Sequence, residues 1–434
     1  MRNAPATLVR DRPAPPLAPE LGERLRAMAR RLGTPLYAYD APTLEADARR
    51  VALAFPDPWV RLYSVKANPL PGLVARLGGL GFGASAVSRG EGWLALRAGL
   101  PTARVALEGV GKAPADLRWA VELARAGRPL LWVSLESAEE AQELLRLARR
   151  RLGDERLEVL LRLNPDVEPD TERGLAVGRG DSKFGLFPEE ADSVLAELAR
   201  RGPLRFRGVH VHAGSQLRSV EPWAAAVRVA LDLFARHAGR LEGWDTLDVG
   251  GGFPADPWED LPGPEDFARA ARAALEELPP DRRPARLAVE PGRFLVARSG
   301  WVVASVLHVR AREAGPGLRQ VVLDAGMTEI IRPMLYGARH PVVALTSNGR
   351  PAHPDLPVEE CVVEGPVCES TDRLGTAPLP PVRRGDLVAV GHAGAYSSAM
   401  SSTYNGRPRP PEVLLEPDGT LRVLRRRAPL RSLA

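Results

Sequence analysis

From about residue 60 to about residue 290 the chain alternates short apolar runs with amphipathic stretches. The apolar runs fall at 60–65, 82–86, 103–107, 130–135, 157–163, 205–212, 244–249 and 285–290 and read as strands. Between them lie helical patterns, such as 137–152, where Ala138, Ala141, Leu144, Leu145 and Ala148 recur at helical spacing behind a possible capping box of Ser137 and Glu140. Pro188 suits the first turn of a helix over 188–201, and helices at 221–240 and 262–277 follow the sixth and seventh strands. Eight evenly spaced strand-helix units predict an α/β fold built on a TIM (β/α)8 barrel, since a doubly wound sheet does not usually require so many.

Beyond residue 300 the pattern changes. Short Val-rich segments at 301–310, 320–324, 358–363 and 386–390 are separated by Gly, Pro and charged turns and read as mainly β. The run 35–40 is also strand-like and precedes the barrel, so it is expected to join them. The chain therefore divides into a barrel at 42–300 and a second, mainly β domain, barrel- or sandwich-like, formed by 1–41 and 301–434. Residues 1–20 are expected to be loosely ordered.

Composition then bounds this picture. At 434 residues, with 44% hydrophobic and 26% charged residues, the chain is ordinary for a globular protein and long enough for two domains. No signal-peptide run or membrane-length apolar stretch is present, which predicts a cytoplasmic protein with no membrane partner. The net charge of +5 invites a nucleic-acid reading, but 54 acidic residues accompany the scattered Arg and no recognition motif appears, so no nucleic-acid partner is expected. Cys361 and Cys368 make neither a disulfide framework nor a zinc site on their own. Of the 59 basic residues only Lys66, Lys112 and Lys183 are lysines. Arg can fill most surface roles of Lys, but it never supplies the free amine that imine chemistry needs.

In a TIM barrel the active site lies at the C-terminal ends of the strands, and here those ends are polar. The first strand runs into Tyr63-Ser64-Val65-Lys66-Ala67-Asn68, the fifth carries Arg162 and Asn164, and the sixth carries His210 and His212 followed by Ala213-Gly214-Ser215. The seventh ends at Asp248 before Gly250-Gly251-Gly252, and the eighth ends Glu290-Pro291-Gly292-Arg293. Lys66 is the candidate amine for an aldehyde cofactor; the bland alternative is a lysine snorkelling at the barrel mouth. Gly250, Gly251 and Gly252 form either a plain turn or, with Ser215 and Arg293, a phosphate cup of backbone N–H, hydroxyl and guanidinium donors. Glu290 is either a structural ion-pair partner or the carboxylate that keeps a pyridine nitrogen protonated, and together these point to pyridoxal 5'-phosphate (PLP). His210 and His212 share a strand face; a metal hydrolase would need further ligands, so no metal is assigned, His212 is read as packing over a planar ring and His210 as structural. Ser88 and Glu91 form a second possible capping box, which gives Glu91 a structural role.

Taken together, Tyr63-Ser-Val-Lys-Ala-Asn68, Ser182-Lys-Phe-Gly185, His212-Ala-Gly-Ser215, Gly250-Gly-Gly252 and Glu290-Pro-Gly-Arg293 resemble the fold type III, alanine-racemase-like PLP decarboxylases, over about residues 35–411. The segments 324–336, Cys368-Glu-Ser-Thr-Asp372, Gly394-Ala-Tyr396 and 400–405 resemble the branch that acts on meso-2,6-diaminopimelate. The resemblance implies Lys66 as the Schiff-base lysine, His212 stacked on the ring, Glu290 at its nitrogen, and Ser215, Gly250 to Gly252 and Arg293 at the phosphate. It further implies Arg293, Arg332, Tyr336, Glu369 and Tyr396 as substrate contacts, with Tyr396 also near the cofactor. Cys368 matches a cysteine that enters the partner subunit's active site and helps protonate the carbanion, so a homodimer with shared sites is implied. Two positions depart from the pattern: Ser85 stands where the family commonly has Asp, and Ala213 where it often has a bulkier residue.

The implied reaction is decarboxylation of meso-diaminopimelate to L-lysine and CO2, with Arg332 at the distal carboxylate and Glu369 at the distal ammonium. The alternatives are the same fold acting on ornithine, arginine, carboxynorspermidine or a carrier-bound acyl substrate, an alanine-racemase-like activity, and a non-catalytic PLP-binding homologue. Cys368-Glu-Ser argues against the racemase, and retention of Lys66 with Cys368 against the silent homologue.

Overall fold

The short apolar runs close on themselves in the computed structural model of the chain, which describes residues 17–199, 202–311 and 319–433. After β1 (Leu36–Asp40) come β2 (Val60–Ser64), β3 (Gly83–Ala86), β4 (Val105–Leu107), β5 (Trp132–Leu135), β6 (Leu157–Leu163), β7 (Leu204–Val211), β8 (Thr246–Asp248) and β9 (Arg286–Val289). Each of β2 to β8 pairs in parallel with the next, and β9 pairs back onto β2, so the eight strands form a closed barrel. Parallel neighbours need a crossover, and a helix lies between every consecutive pair: Pro71–Gly79, Arg89–Arg97, Pro114–Arg125, Ala138–Arg151, Pro188–Leu198, Glu221–His237 and Pro264–Glu276. Ser88 and Ser137 cap two of them, each accepting the N–H of the Glu three residues on at 3.2 Å. Those glutamates, Glu91 and Glu140, reach back to the N–H groups of Val87 and Glu136.

Side chains alternate across a strand, and inside this barrel the alternation separates two layers. Leu62, Ala106, Trp132, Leu160 and Ala288 pack together as an apolar plug. Two residues further along the same strands, or one past the strand end, stand Ser64, Glu108, Ser134, Arg162 and Glu290, all buried. Polar groups at that depth need partners, and they find them in one another.

The remaining strands build a mainly β domain. They are β10 (Gly300–Arg310), β11 (Arg319–Leu323), β12 (Val342–Ala344), β13 (Thr346–Ser347), β14 (Arg350–Pro351), β15 (Glu359–Glu364), β16 (Arg373–Leu379), β17 (Leu387–Val390), β18 (Glu412–Leu415) and β19 (Leu421–Arg425). A nine-stranded sheet runs in the order β16-β15-β11-β10-β1-β18-β19, with β17 on β10 and β12 on β17. The N-terminal strand joins the C-terminal ones as expected: β1 pairs antiparallel with β10 and parallel with β18.

The helix Pro19–Leu32 corrects the expectation of loose order up to residue 20. Pro19 opens its first turn, and Leu25, Met28 and Ala29 line its inner face against Leu36, Val303, Ala389 and Val413. Residues 1–16 lie outside the described residues, as do 200–201 at the end of the helix expected over 188–201. Among the described residues no helix is long and apolar enough to cross a membrane.

Candidate functional site

At the C-terminal end of β2 the chain turns through a short 3-10 segment, Val65–Ala67, which leaves Lys66 exposed between buried neighbours. The turn is held on several sides. Ser64 donates from its N–H to Pro291 O (3.1 Å) and from Oγ to Glu290 O (2.9 Å), while Tyr396 N–H donates to Ala67 O (2.8 Å). Asn68 Nδ2 bonds Tyr39 Oη and Gly394 O, each at 3.0 Å. Strand ends from the barrel and a loop of the β domain thus fix the Lys66 backbone. Of the other two lysines, Lys112 is buried in an ion pair with Glu140 (3.0 Å) and Lys183 lies over the Phe184 ring.

Below Lys66 the polar layer forms the floor of the site. The Nε2 of His210 lies 3.3 Å from Glu290 Oε2 and 3.7 Å from Glu108 Oε2, and its Nδ1 is 2.9 Å from Ser134 Oγ. Asp248 is fully buried and accepts the Gly250 N–H at 2.9 Å; Arg162 is paired with Glu136. Burial alone would raise the Glu290 carboxyl, but the neighbouring His210, with Glu108 and His212 beside it, outweighs burial and holds Glu290 below the usual carboxylate range. Glu108 moves the opposite way, raised by burial and then by Glu290, and Asp248 is raised for the same two reasons. Within the floor, then, the surroundings favour the charged form of Glu290 and the protonated forms of Glu108 and Asp248. His210 is more than structural filling, because it contacts both glutamates; Ser85, where the family commonly has Asp, faces Glu108 Oε2 at 3.4 Å.

His212 sits above this floor, and its Nδ1 accepts the Gly251 N–H at 3.1 Å, which assigns the ring proton to Nε2. Burial, then the Lys66 ammonium and the Arg162 guanidinium, hold it well below the usual histidine range, so the ring is neutral. The glycine triplet is required by crowding. A Cβ on Gly250 would lie 2.4 Å from Val211 O, and one on Gly251 would lie 2.2 Å from Glu290 O. The N–H groups of Gly250 and Gly251 are already engaged by Asp248 and His212, which narrows the expected convergence of all three on an anion. Arg293 Nη2 reaches Ser215 Oγ at 3.1 Å, and its guanidinium lies 4.6 Å from the centre of the Tyr396 ring.

The opposite wall is cationic. Arg332 begins the short helix Arg332–Tyr336 and is buried; burial and the nearby Arg293 guanidinium push it down to about 9. Arg332 Nη1 lies 3.5 Å from His340 Nε2, and His340 Nδ1–H donates to Gly391 O at 2.9 Å. Burial and then Arg332 lower His340 to about 3, while burial, with Arg298 and Arg332, lowers His392 to about 4. Tyr336 is half-buried beside Arg332 and Arg293.

Cys368 and Glu369 are exposed on the loop between β15 and β16, where Glu369 Oε1 accepts the Tyr404 hydroxyl at 2.7 Å. Among the described residues no contact links them to Lys66, His212 or Glu290. The structure thus gathers Lys66, His212, Ser215, Gly250 to Gly252, Glu290, Arg293, Arg332, Tyr336 and Tyr396 around one mouth and leaves Cys368 and Glu369 outside it. Sequence reading passed over Glu108, His340 and His392 as members of this group.

A cofactor carrying a phosphate, an aromatic ring and an aldehyde fits what is left unsatisfied. Glu290 Oε1, Arg293 Nη1 and Arg332 Nε are buried without a hydrogen-bond partner. One anion and two cations with free atoms, around an exposed amine, match a protonated ring nitrogen and anionic groups above it.

Comparison with known proteins agrees with this chemistry. A family model for the pyridoxal-binding domain of pyridoxal-dependent decarboxylases matches residues 42–297. The chain is 35% identical over 411 residues to the diaminopimelate decarboxylase of Aquifex aeolicus, covering 94% of this chain and 92% of that one. It is 40% identical over 391 residues to that of Deinococcus radiodurans, covering 90% and 92%. Among solved structures it is similar to the diaminopimelate decarboxylase of Helicobacter pylori in complex with L-lysine, with a TM-score of 0.84, 31% identity, and coverage of 94% of this chain and 98% of that one.

Proposed function

This chain belongs to the diaminopimelate decarboxylase family of pyridoxal-dependent decarboxylases, and from that premise we infer that it converts meso-2,6-diaminopimelate to L-lysine and CO2. The observation that carries the inference is the opposition of a Glu290 floor and an Arg293–Arg332 wall across one exposed lysine. We read the closed barrel as a TIM (β/α)8 barrel spanning 42–300, and 1–41 with 301–434 as the β domain. The pairing of β1 with β10 and β18 supports that division.

PLP, when bound here, supplies an electron sink for the pair released as the carboxylate leaves as CO2. In our reading the Lys66 amine would hold its aldehyde, the unpartnered Oε1 of Glu290 would serve its ring nitrogen, and His212 would pack against its ring. Ser215, Arg293 and, of the glycine turn, the Gly252 N–H would hold the phosphate, and Tyr396 keeps Arg293 in place from its ring face. Arg332, a planar fork with a free Nε, suits the distal carboxylate of the substrate. Tyr336 and Arg293 line the same side.

Glu369 and Cys368 complete the site only if they arrive from a second copy of the chain, so we propose a homodimer with shared active sites. Glu369 then pairs with the distal ammonium, and Cys368 Sγ holds the proton that replaces the departing carboxylate. The test is to purify the protein, record the visible absorption band of the bound cofactor, and measure lysine and CO2 from meso-diaminopimelate beside ornithine, arginine and carboxynorspermidine. Turnover of the first is expected; turnover of another with none of the first overturns the substrate and leaves the fold standing.

A further inference from the structure

Glu108 has no part in the reading above, yet it is buried in the centre of the site floor, 3% exposed. It follows β4 directly, and its inward aim is set by the register that sends Ala106 into the apolar plug. Its surroundings are fully accounted for on the neighbouring strands. Ser85 on β3 faces Oε2 at 3.4 Å, and Trp132 on β5 donates its Nε1–H to Oε1 at 3.4 Å. The charged or titratable groups facing it are Arg162 on β6, His210 on β7, Asp248 on β8 and Glu290 just past β9. The carboxylate oxygens of Glu108 and Glu290 and a ring nitrogen of His210 all lie within 4.8 Å of one another.

Two carboxylates at that separation, buried, have only the His210 ring between them, and burial disfavours the charged form of that ring, so the pair is held together by sharing a proton. Arg162 does not serve as the cation, because Glu136 already neutralises it. The Nδ1 of His210 is taken up by Ser134, and its Nε2 stands closer to Glu290 than to Glu108. We propose that Glu108 is a positioning residue for the reaction: its protonated carboxyl donates a hydrogen bond to the Glu290 carboxylate and so fixes Glu290 as the single anion beneath the ring nitrogen. The inference rests on the reading of Glu290 as the ring-nitrogen partner. The direction of the two acids agrees with it, since burial and then the Glu290 charge raise Glu108, while Glu290 itself stays ionised. One negative charge then meets one ring proton, and the floor is balanced when the cofactor is in place.

The same three side chains have the spacing of a metal site, and the experiment separates the two. The holoenzyme, Glu108→Gln and Glu108→Leu are compared for kcat and KM on meso-diaminopimelate across pH, for the visible absorption band across pH, and for cofactor affinity after resolution to apoprotein. A hydrogen bond to a charged group is worth enough that Glu108→Leu is expected to lower kcat roughly 10- to 100-fold, with KM within about threefold. Its cofactor affinity falls as well, and its band shifts. Glu108→Gln, which keeps a donor, recovers most of that loss and lacks the alkaline decline in kcat that ionisation of Glu108 imposes on the wild type. Glu108→Gln as impaired as Glu108→Leu, or Glu108→Leu with an unaltered band and kcat, overturns the proposal. So does one tightly bound metal ion per chain. If Glu108→Leu fails to fold, Glu108→Gln decides alone: a loss of more than about tenfold in kcat sinks the idea. A wild type with no cofactor band overturns the reading of the site as well, whereas a normal band that Glu108 does not influence overturns this proposal only.

Discussion

The floor and the wall of the site are built in different ways. Every floor residue, Ser64, Ser85, Glu108, Ser134, Arg162, His210, Asp248 and Glu290, is buried and sits on a barrel strand or one residue beyond it. Their mutual distances follow from the register of parallel neighbours, and one chain supplies all of them. Apart from Arg293, which follows the last barrel strand, the wall is made of loops and a short helix from the β domain: Arg332, Tyr336, His340, His392 and Tyr396, with Cys368 and Glu369 exposed and apart. Charge divides the two regions as well, an acidic floor against a wall whose cations depress two histidines. The comparison teaches that the part common to any PLP chemistry is set in rigid strands. On the proposed reading, the part that chooses the substrate is carried on segments that a second subunit would complete.

The largest expected effect tests the floor. Lys66→Ala removes the amine assigned to the aldehyde, so the visible cofactor band disappears and kcat falls by at least about a thousandfold. A variant that keeps its band would mean that another group holds the aldehyde. Next comes the wall. Cys368→Ala is expected to lower kcat by about a hundredfold or more, the usual worth of a placed proton donor. Mixing Lys66→Ala and Cys368→Ala chains under exchange conditions then restores about a quarter of wild-type activity, since half the dimers pair one of each and half of their sites are intact. No recovery, in chains shown to exchange, would put Cys368 in its own chain's site and erase the contrast drawn above.

Glu369→Ala sharpens the comparison further. Loss of a charged partner for the distal ammonium is expected to cut kcat/KM for meso-diaminopimelate roughly 10- to 100-fold while cofactor affinity stays within about threefold. Equal catalytic efficiency in the two proteins would refute the assignment and leave Glu369 as the partner of Tyr404 alone.

The floor was far more legible in the sequence than the wall, for physical reasons. All eight expected strands are present within about two residues of their predicted ends, because strand-length apolar runs broken by amphipathic helices admit few other folds. Lys66, His212 and Glu290 could be read as strand-end polar residues. Glu108 has the same signature, but β4 is only three residues long and its closing carboxylate looks like the start of a loop. Its inward aim becomes visible only through the register that places Ala106 in the plug. The helix Pro19–Leu32 carried a readable apolar stripe, which its Arg-rich outer face and the preceding Pro-rich residues obscured. His340 and His392 are 52 residues apart in the chain. Nothing local ties either to Arg332, so only tertiary packing reveals the cationic wall. Cys368 and Glu369 were legible solely through resemblance, since an exposed loop between two strands carries no periodicity that ties it to a distant site.

The smallest effect concerns that wall and appears in stability. His392 takes up a proton at pH 6.5 in an unfolded chain, but in the folded protein burial and the Arg298 and Arg332 charges lower it to about 4. A depressed histidine favours the fold while it stays neutral. Its contribution is therefore fully present above pH 6.5 and declines as pH falls toward 4, because the unfolded state gains protons that the folded state refuses. Between pH 6.5 and 5.5 one such group costs about 1 kcal/mol of stability. His392→Gln should flatten the denaturation free energy over that interval by about this amount. Urea titrations of the two proteins at the two pH values measure the difference. An unchanged slope in His392→Gln would mean that the wall does not hold its histidine neutral, and that the charge contrast between wall and floor is weaker than the geometry implies.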